Sequence, residues 1–175
     1  MKNVLKILSG VVIVGLIIIL IIKSLQPEKP FKNVELSGNN KIININLPKY
    51  YDTMISVGLD GRNIKNQTII LKKINDNAVN SMEGIQIDAH LRYEDSTLYL
   101  FSGEFGRDKS IEIISHEIIH MEQYLNNDIQ YNNGILIYKN KSYNLNDVNY
   151  EVRPWEVDAH NKQGEVITHI NKVLY

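Results

Sequence analysis

The chain has 175 residues, and 19 basic against 20 acidic side chains give a formal net charge of −1. That length suits one domain with an appendage, and so even a balance, without a Lys/Arg cluster, leaves no electrostatic footprint for nucleic acid. Cysteine is absent, so disulfides and thiolate ligands are excluded and any metal must be held by His, Asp or Glu.

Residues 4–22 read VLKILSGVVIVGLIIILII, with Lys6 as the only charge. Roughly 20 apolar residues are needed to cross about 30 Å of hydrocarbon as a helix, and this run nearly reaches that length. Lys6 lies near the end, where its stem can carry the ammonium to the headgroups. We read the segment as a single transmembrane helix. Lys2 and Lys6 would also suit a cleaved signal peptide, but Lys23-Ser24-Leu25-Gln26 offers no small-residue cleavage site. No polar face marks a buried core helix, and no cysteine follows for lipid attachment. Short positive N-terminal flanks usually stay cytoplasmic, which predicts a single-pass protein with its C-terminal domain outside the cytoplasm. Secretion after signal cleavage is the alternative.

Residues 23–40, with Gln26-Pro27-Glu28-Lys29-Pro30 and Leu36-Ser37-Gly38-Asn39-Asn40, read as a linker, and a domain over 41–175 follows. Lys41 to Asn46 alternates weakly, as a short strand does. Pro48 to Leu59 predicts a helix with Pro48 in its first turn and Gly58 and Gly61 at its exit. Thr68 to Ile74 is apolar and β-branched, a strand pattern. Gly84 to Tyr93 places Ile85, Ile87, Ala89, Leu91 and Tyr93 on one face at period two, leaving His90 on the polar side. Glu94-Asp95-Ser96 would turn this strand into a partner at Thr97 to Ser102.

Asp108 is a candidate cap for a helix over 109–125. Ile111, Ile114, Ile118, Met121 and Leu125 form an apolar stripe there, widened by Ile113 and Tyr124, so the helix should lie inside the domain. Ile129–Tyr131 and Ile135–Lys139 read as a hairpin around Asn132-Asn133-Gly134. Asn140 to Asn149 reads as polar loop. Pro154 opens a second helix to about Val173, with Trp155 as a core anchor between the helices and His169 in solvent. The sum is an α+β domain with a mixed or antiparallel sheet.

The chemistry lies in His116-Glu117-Ile118-Ile119-His120. Residues four apart share a helix face, so His116 and His120 point the same way and can bind one Zn²⁺. Glu117 is turned by about 100°, which sets its carboxylate beside a metal rather than on it. A carboxylate there can take a proton from water and return it to a leaving group. Two histidines on a buried face are costly without partners, and a metal is a natural one.

Zinc in such a site wants three protein ligands. Gln123 and Asn126 stand where a third His after the motif could be, so the third ligand must come from further along. The best candidate is Glu156 within Arg153-Pro154-Trp155-Glu156-Val157-Asp158-Ala159. It sits at the start of the second helix, and the small Ala159 lets the two helices approach. Glu151 and Asp158 are the rivals. Gln123 shares the His116/His120 face and could hydrogen-bond near the metal, and His160 shares a face with Glu156.

HEIIH followed by Glu156-Val157-Asp158-Ala159-His160 resembles the gluzincin peptidases, in which a glutamate on a downstream helix completes a HExxH zinc site. Similar stretches occur in HtpX-like and ImmA/IrrE-like peptidases, and the resemblance spans roughly residues 84–164. His160 stands where HtpX-like sequences carry Asp. The resemblance implies a small zincin-like domain, with His116, His120 and Glu156 as zinc ligands and Glu117 as catalytic base. It also implies a peptide or protein substrate, paired with an edge strand of the hairpin at 84–102. Tyr150, Arg153 and His160 are candidate oxyanion donors, although Arg153 also suits a surface ion pair. The expectation is a membrane-anchored zinc metallopeptidase. The alternatives are a non-catalytic zincin-fold metal-binding protein of an envelope or phage-derived assembly, and a zinc amidase.

Overall fold

Four strands with alternating burial make a mixed sheet: β1 (Lys41–Ile45), β2 (Thr68–Lys73), β3 (Ala89–Glu94) and β4 (Thr97–Ser102), in the order β1-β2-β4-β3. The structure is a computed structural model that describes residues 31–32, 38–74, 88–132 and 135–175. The transmembrane helix expected at 4–22 and the strand start expected at 84–87 lie outside the described residues. Among the described residues no helix is long and apolar enough to cross a membrane. Residues Lys32–Tyr175 form one unit, in which the Lys32 N–H donates to the Leu174 carbonyl at 3.2 Å.

β1, β2 and β4 run parallel, and β3 pairs antiparallel with β4. Ile69, Leu71, Leu98 and Leu100 are fully buried on one face, as the period of two requires. The turn between β3 and β4 uses Asp95 and Ser96 in the left-handed region (φ 48° and 58°), the geometry of a tight two-residue hairpin. β3 lies at the sheet edge, and His90 sits on its exposed side, stacked on Phe101 with ring centroids 4.5 Å apart.

Helix α1 (Tyr50–Gly61) begins two residues after Pro48, so the proline precedes the first turn instead of lying in it. Its inner face buries Tyr51, Met54, Ile55, Val57 and Leu59. The Tyr51 hydroxyl accepts from Ser110 Oγ at 2.8 Å and donates to the Gly103 carbonyl at 3.1 Å, pinning the chain where β4 hands over to the next helix. Gly58 does not end α1 as expected. It is buried within the helix, where a Cβ would overlap Ile118 Cδ1 and come within 3.3 Å of Ile170 Cδ1. Gly58 is thus the point at which two further helices press on α1. Gly61 does stand in the last turn, where the ring of His169 lies over it. His169 is therefore half-buried, a correction to the solvent position its helix spacing suggested.

Helix α2 (Arg107–Leu125) is capped at Gly106 by extended backbone and not by Asp108, which lies inside the first turn. A carboxylate there still favours the helix through the positive end of its dipole. Ile111, Ile114, Ile118 and Met121 are buried, and so are Ile113, Ser115 and Ile119, which makes α2 an interior helix.

A second, antiparallel sheet consists of β5 (Ile129–Asn132), β6 (Ile135–Tyr138) and β7 (Lys141–Asn144). β7 corrects the reading of 140–149 as loop. Its turn is Lys139-Asn140, both left-handed (φ 47° and 65°), and it lacks the glycine that would have signalled a hairpin. Two short 3-10 turns, Leu145–Asp147 and Tyr150–Val152, lead into helix α3 (Pro154–Leu174). Trp155 packs with Ile129, Leu136 and Tyr138, and Tyr124 of α2 packs against the same cluster, so Trp155 anchors the small sheet where the two helices meet. Further along, Ala159, Val166, Ile170 and Leu174 form the buried stripe of α3.

Candidate metal centre

The four-residue spacing on α2 brings the Nε2 atoms of His116 and His120 to 3.0 Å. The rings meet edge to face, 84° apart. Across from them, the first turn of α3 places Glu156 Oε2 at 3.2 Å from each Nε2. The approach of α3 to α2 is eased at Ala159, which is fully buried and has no side chain beyond Cβ. The ligand atoms of His116, His120 and Glu156 all lie within 4.8 Å of one another, so the group could hold a metal ion.

The donor set fits a cation. Two imidazole nitrogens and a carboxylate oxygen converge, and neutral imidazoles offer lone pairs there that repel unless something positive lies between them. Ligands about 2.0–2.2 Å from a tetrahedral zinc stand roughly 3.3 Å apart, close to the separations of 3.0 and 3.2 Å seen here. A proton can take the cation's place. Burial opposes a charge on His120, but its hydrogen bond to Glu156 and the nearby Glu117 prevail and raise its pKa to about 9. Burial likewise works against an ionised Glu156, yet hydrogen bonds from His116, His120 and Tyr150 hold its carboxyl far below the usual range. These two shifts are one interaction seen from its two ends.

Glu117 lies next to the cage with its carboxylate buried, and burial raises its pKa against the pull of His120 and His116. Its Oε2 has no hydrogen-bond partner among the described residues. Such an orphaned buried oxygen calls for a functional or ionic explanation.

The flanking groups support the cage. Gln123 Oε1 lies 2.7 Å from His120 Nδ1, and Gln163 Oε1 lies 3.1 Å from His116 Nδ1. Gln123 therefore does bond to a cage histidine, as its helix face suggested. Gln163 was missing from the sequence reading, although its spacing of seven from Glu156 puts both on one face of α3 two turns apart. The Tyr150 hydroxyl donates to Glu156 Oε2 at 2.8 Å. Burial and the charge of Glu156 push the Tyr150 pKa up, so it remains a neutral donor.

The remaining candidates take other places. The Asp158 carboxylate accepts from Gln123 Nε2 at 3.0 Å and Lys162 Nζ at 2.9 Å, outside the cage. Glu151 is exposed in the second 3-10 turn. The ring of His160 rests against that of His116 at 4.5 Å between centroids, and His160 is not one of the three converging groups. Arg153 donates to the carbonyls of Val148 and Leu145, both at 3.2 Å, and its guanidinium lies over the Tyr150 ring. It braces the loop that carries Tyr150, a role that neither the oxyanion nor the surface-pair reading described.

The edge strand β3 packs alongside α2, with Tyr93 and Tyr124 rings 6.1 Å apart. No family model matches the chain, and no curated protein or solved structure matches it. The functional reading therefore rests on the residues of this site.

Proposed function

We propose that the protein is a zincin-like, zinc-dependent metallopeptidase, anchored by residues 4–22 with its domain outside the cytoplasm. The observation that carries this reading is the buried Glu117 Oε2, without a hydrogen-bond partner among the described residues, beside a His116–His120–Glu156 cage. A structural zinc site closes with four protein ligands, whereas three ligands and a spare carboxylate match a hydrolytic one. The His/His/Glu donor set without thiolate suits zinc. Bound there, zinc would polarise a carbonyl and make a water acidic near neutral pH.

Glu117 then accepts the proton of the attacking water and passes it to the leaving nitrogen. Its raised pKa suits both directions of that transfer. Tyr150 is a neutral donor whose single O–H lies on Glu156 Oε2, and turned from there it would supply a hydrogen bond to the developing oxyanion. β3 is an edge strand among the described residues, and its outer side would offer backbone hydrogen bonds to an extended chain, which favours a peptide over other hydrolysable substrates.

The test is a peptide-library screen with the zinc-loaded full-length protein and its Glu117→Gln variant. The variant should keep zinc and lose turnover by about 10²–10⁴-fold. Equal cleavage by the variant, or zinc uptake without cleavage of any peptide, would refute the assignment.

A further inference from the structure

Each of the two cage histidines meets a glutamine amide at the nitrogen facing away from the cage. A metal-ligating histidine needs an outer acceptor on its second nitrogen, because that contact fixes the tautomer and the ring plane. We propose that Gln123 and Gln163 are the positioning residues of this centre. Each accepts a hydrogen bond from Nδ1–H and thereby leaves the Nε2 lone pair for the metal. The inference rests on the metal reading above.

The orientation of the Gln123 amide is settled by its other contacts. Its Nε2 donates to the Trp155 carbonyl and to Asp158 Oδ2, both at 3.0 Å. Both partners can only accept, so the amide nitrogen must face them and the oxygen must face His120. An amide oxygen cannot donate, so the proton of the hydrogen bond belongs to His120 Nδ1. Gln123 is only 1% exposed, and the same two bonds tie the start of α3 to α2. One side chain therefore orients His120 and holds the turn from which Glu156 reaches the cage.

Gln163 does the corresponding work from α3. It is half-buried, and its amide oxygen reaches His116 Nδ1 from two turns beyond Glu156. The ring of His160 instead lies beside that of His116, tilted by 48°. Both supports are neutral amides, so the two imidazoles are oriented without adding negative charge to the centre. Gln163 uses only its oxygen toward His116, whereas Gln123 uses both ends of its amide. The two positions should therefore respond differently to glutamate.

The experiment measures zinc affinity by chelator competition in the full chain, together with the Nδ1–H signals of the cobalt-loaded protein. Gln163→Leu should weaken zinc by about 10–100-fold, as loss of an outer partner typically does, with the melting temperature of the metal-free protein unchanged. Gln163→Glu should restore the affinity, since an acceptor is all that is needed there. Gln123→Glu should not, because it removes the donor to Trp155 and faces Asp158 with a second carboxylate. Cobalt-loaded wild type should show two paramagnetically shifted, slowly exchanging Nδ1–H signals, and Gln163→Leu should lose the protection of one. Wild-type affinity in Gln163→Leu, failure of Gln163→Glu to restore it, or a wild type lacking the two protected signals would overturn the inference. A wild type that takes up no metal would overturn the metal reading, and this inference with it.

Discussion

Helix α2 and the first turn of α3 build the same cage by opposite means. α2 lies in the interior, with Ile111, Ile114, Ile118, Ile119 and Met121 buried around its circumference, and helical spacing brings its two histidines to one face. The start of α3 follows two short 3-10 turns, and Trp155, Ala159 and the contacts of Gln123 hold it in place. One side of the site is thus set by local geometry inside a large core, and the other by a few tertiary contacts at a helix end. The half that depends on few contacts is where a mutation away from the ligands should reach the metal.

The largest effect of this kind should come from Trp155→Ala. Removing a buried tryptophan costs about 3–5 kcal/mol, measured by chemical denaturation. It should also weaken zinc binding, since the side chain beside Glu156 no longer seats α3 against β5–β7. Ile114→Ala in α2 should cost about 2–5 kcal/mol and leave zinc affinity nearly unchanged. Equal effects of the two variants on zinc would erase the contrast.

Gly58→Val should come next. The new methyl groups would press on Ile118 and Ile170, where α1 meets both helices. Overpacking of a tight core costs about 1–3 kcal/mol. A variant as stable as wild type would show that α2 and α3 can part there without strain.

The last contrast concerns pH in the metal-free protein. His120 is raised from 6.5 to about 9, so its ion pair with Glu156 contributes stability fully below pH 6.5 and loses it as pH climbs through about 9. The melting temperature should therefore fall across that window. Zinc loading should flatten the decline, because the ligand histidines then carry no added proton. A metal-free protein whose melting temperature is level from pH 6.5 to 9 would contradict the pairing.

The same contrast explains what could be read from the sequence. The α2 half was legible because HEIIH and the isoleucine stripe follow one period, and that period fixes both burial and the direction of the histidines. Glu156 stood out as best among three acidic candidates, but only folding separated it from Asp158, which turned to Gln123 and Lys162. Gln163 was overlooked because an amide carries no sequence signal for an outer support until its partner is known. β7 was missed because a Lys-Asn turn reads as loop, and its left-handed geometry appears only in the fold. Gly58 was read as a stop, although glycine serves equally where helices cross closely. Arg153 and Trp155 were recognised as notable residues, but their partners are carbonyls and a small sheet that the chain brings in from elsewhere.

The central claim is that His116, His120 and Glu156 hold one metal while Glu117 holds none. The most direct measurement is the metal content of the purified full-length protein by elemental analysis, compared with Glu156→Ala and Glu117→Gln. The account predicts one zinc per chain in the wild type and in Glu117→Gln, and none retained by Glu156→Ala. A metal-free wild type, or zinc held undiminished by Glu156→Ala, would contradict it.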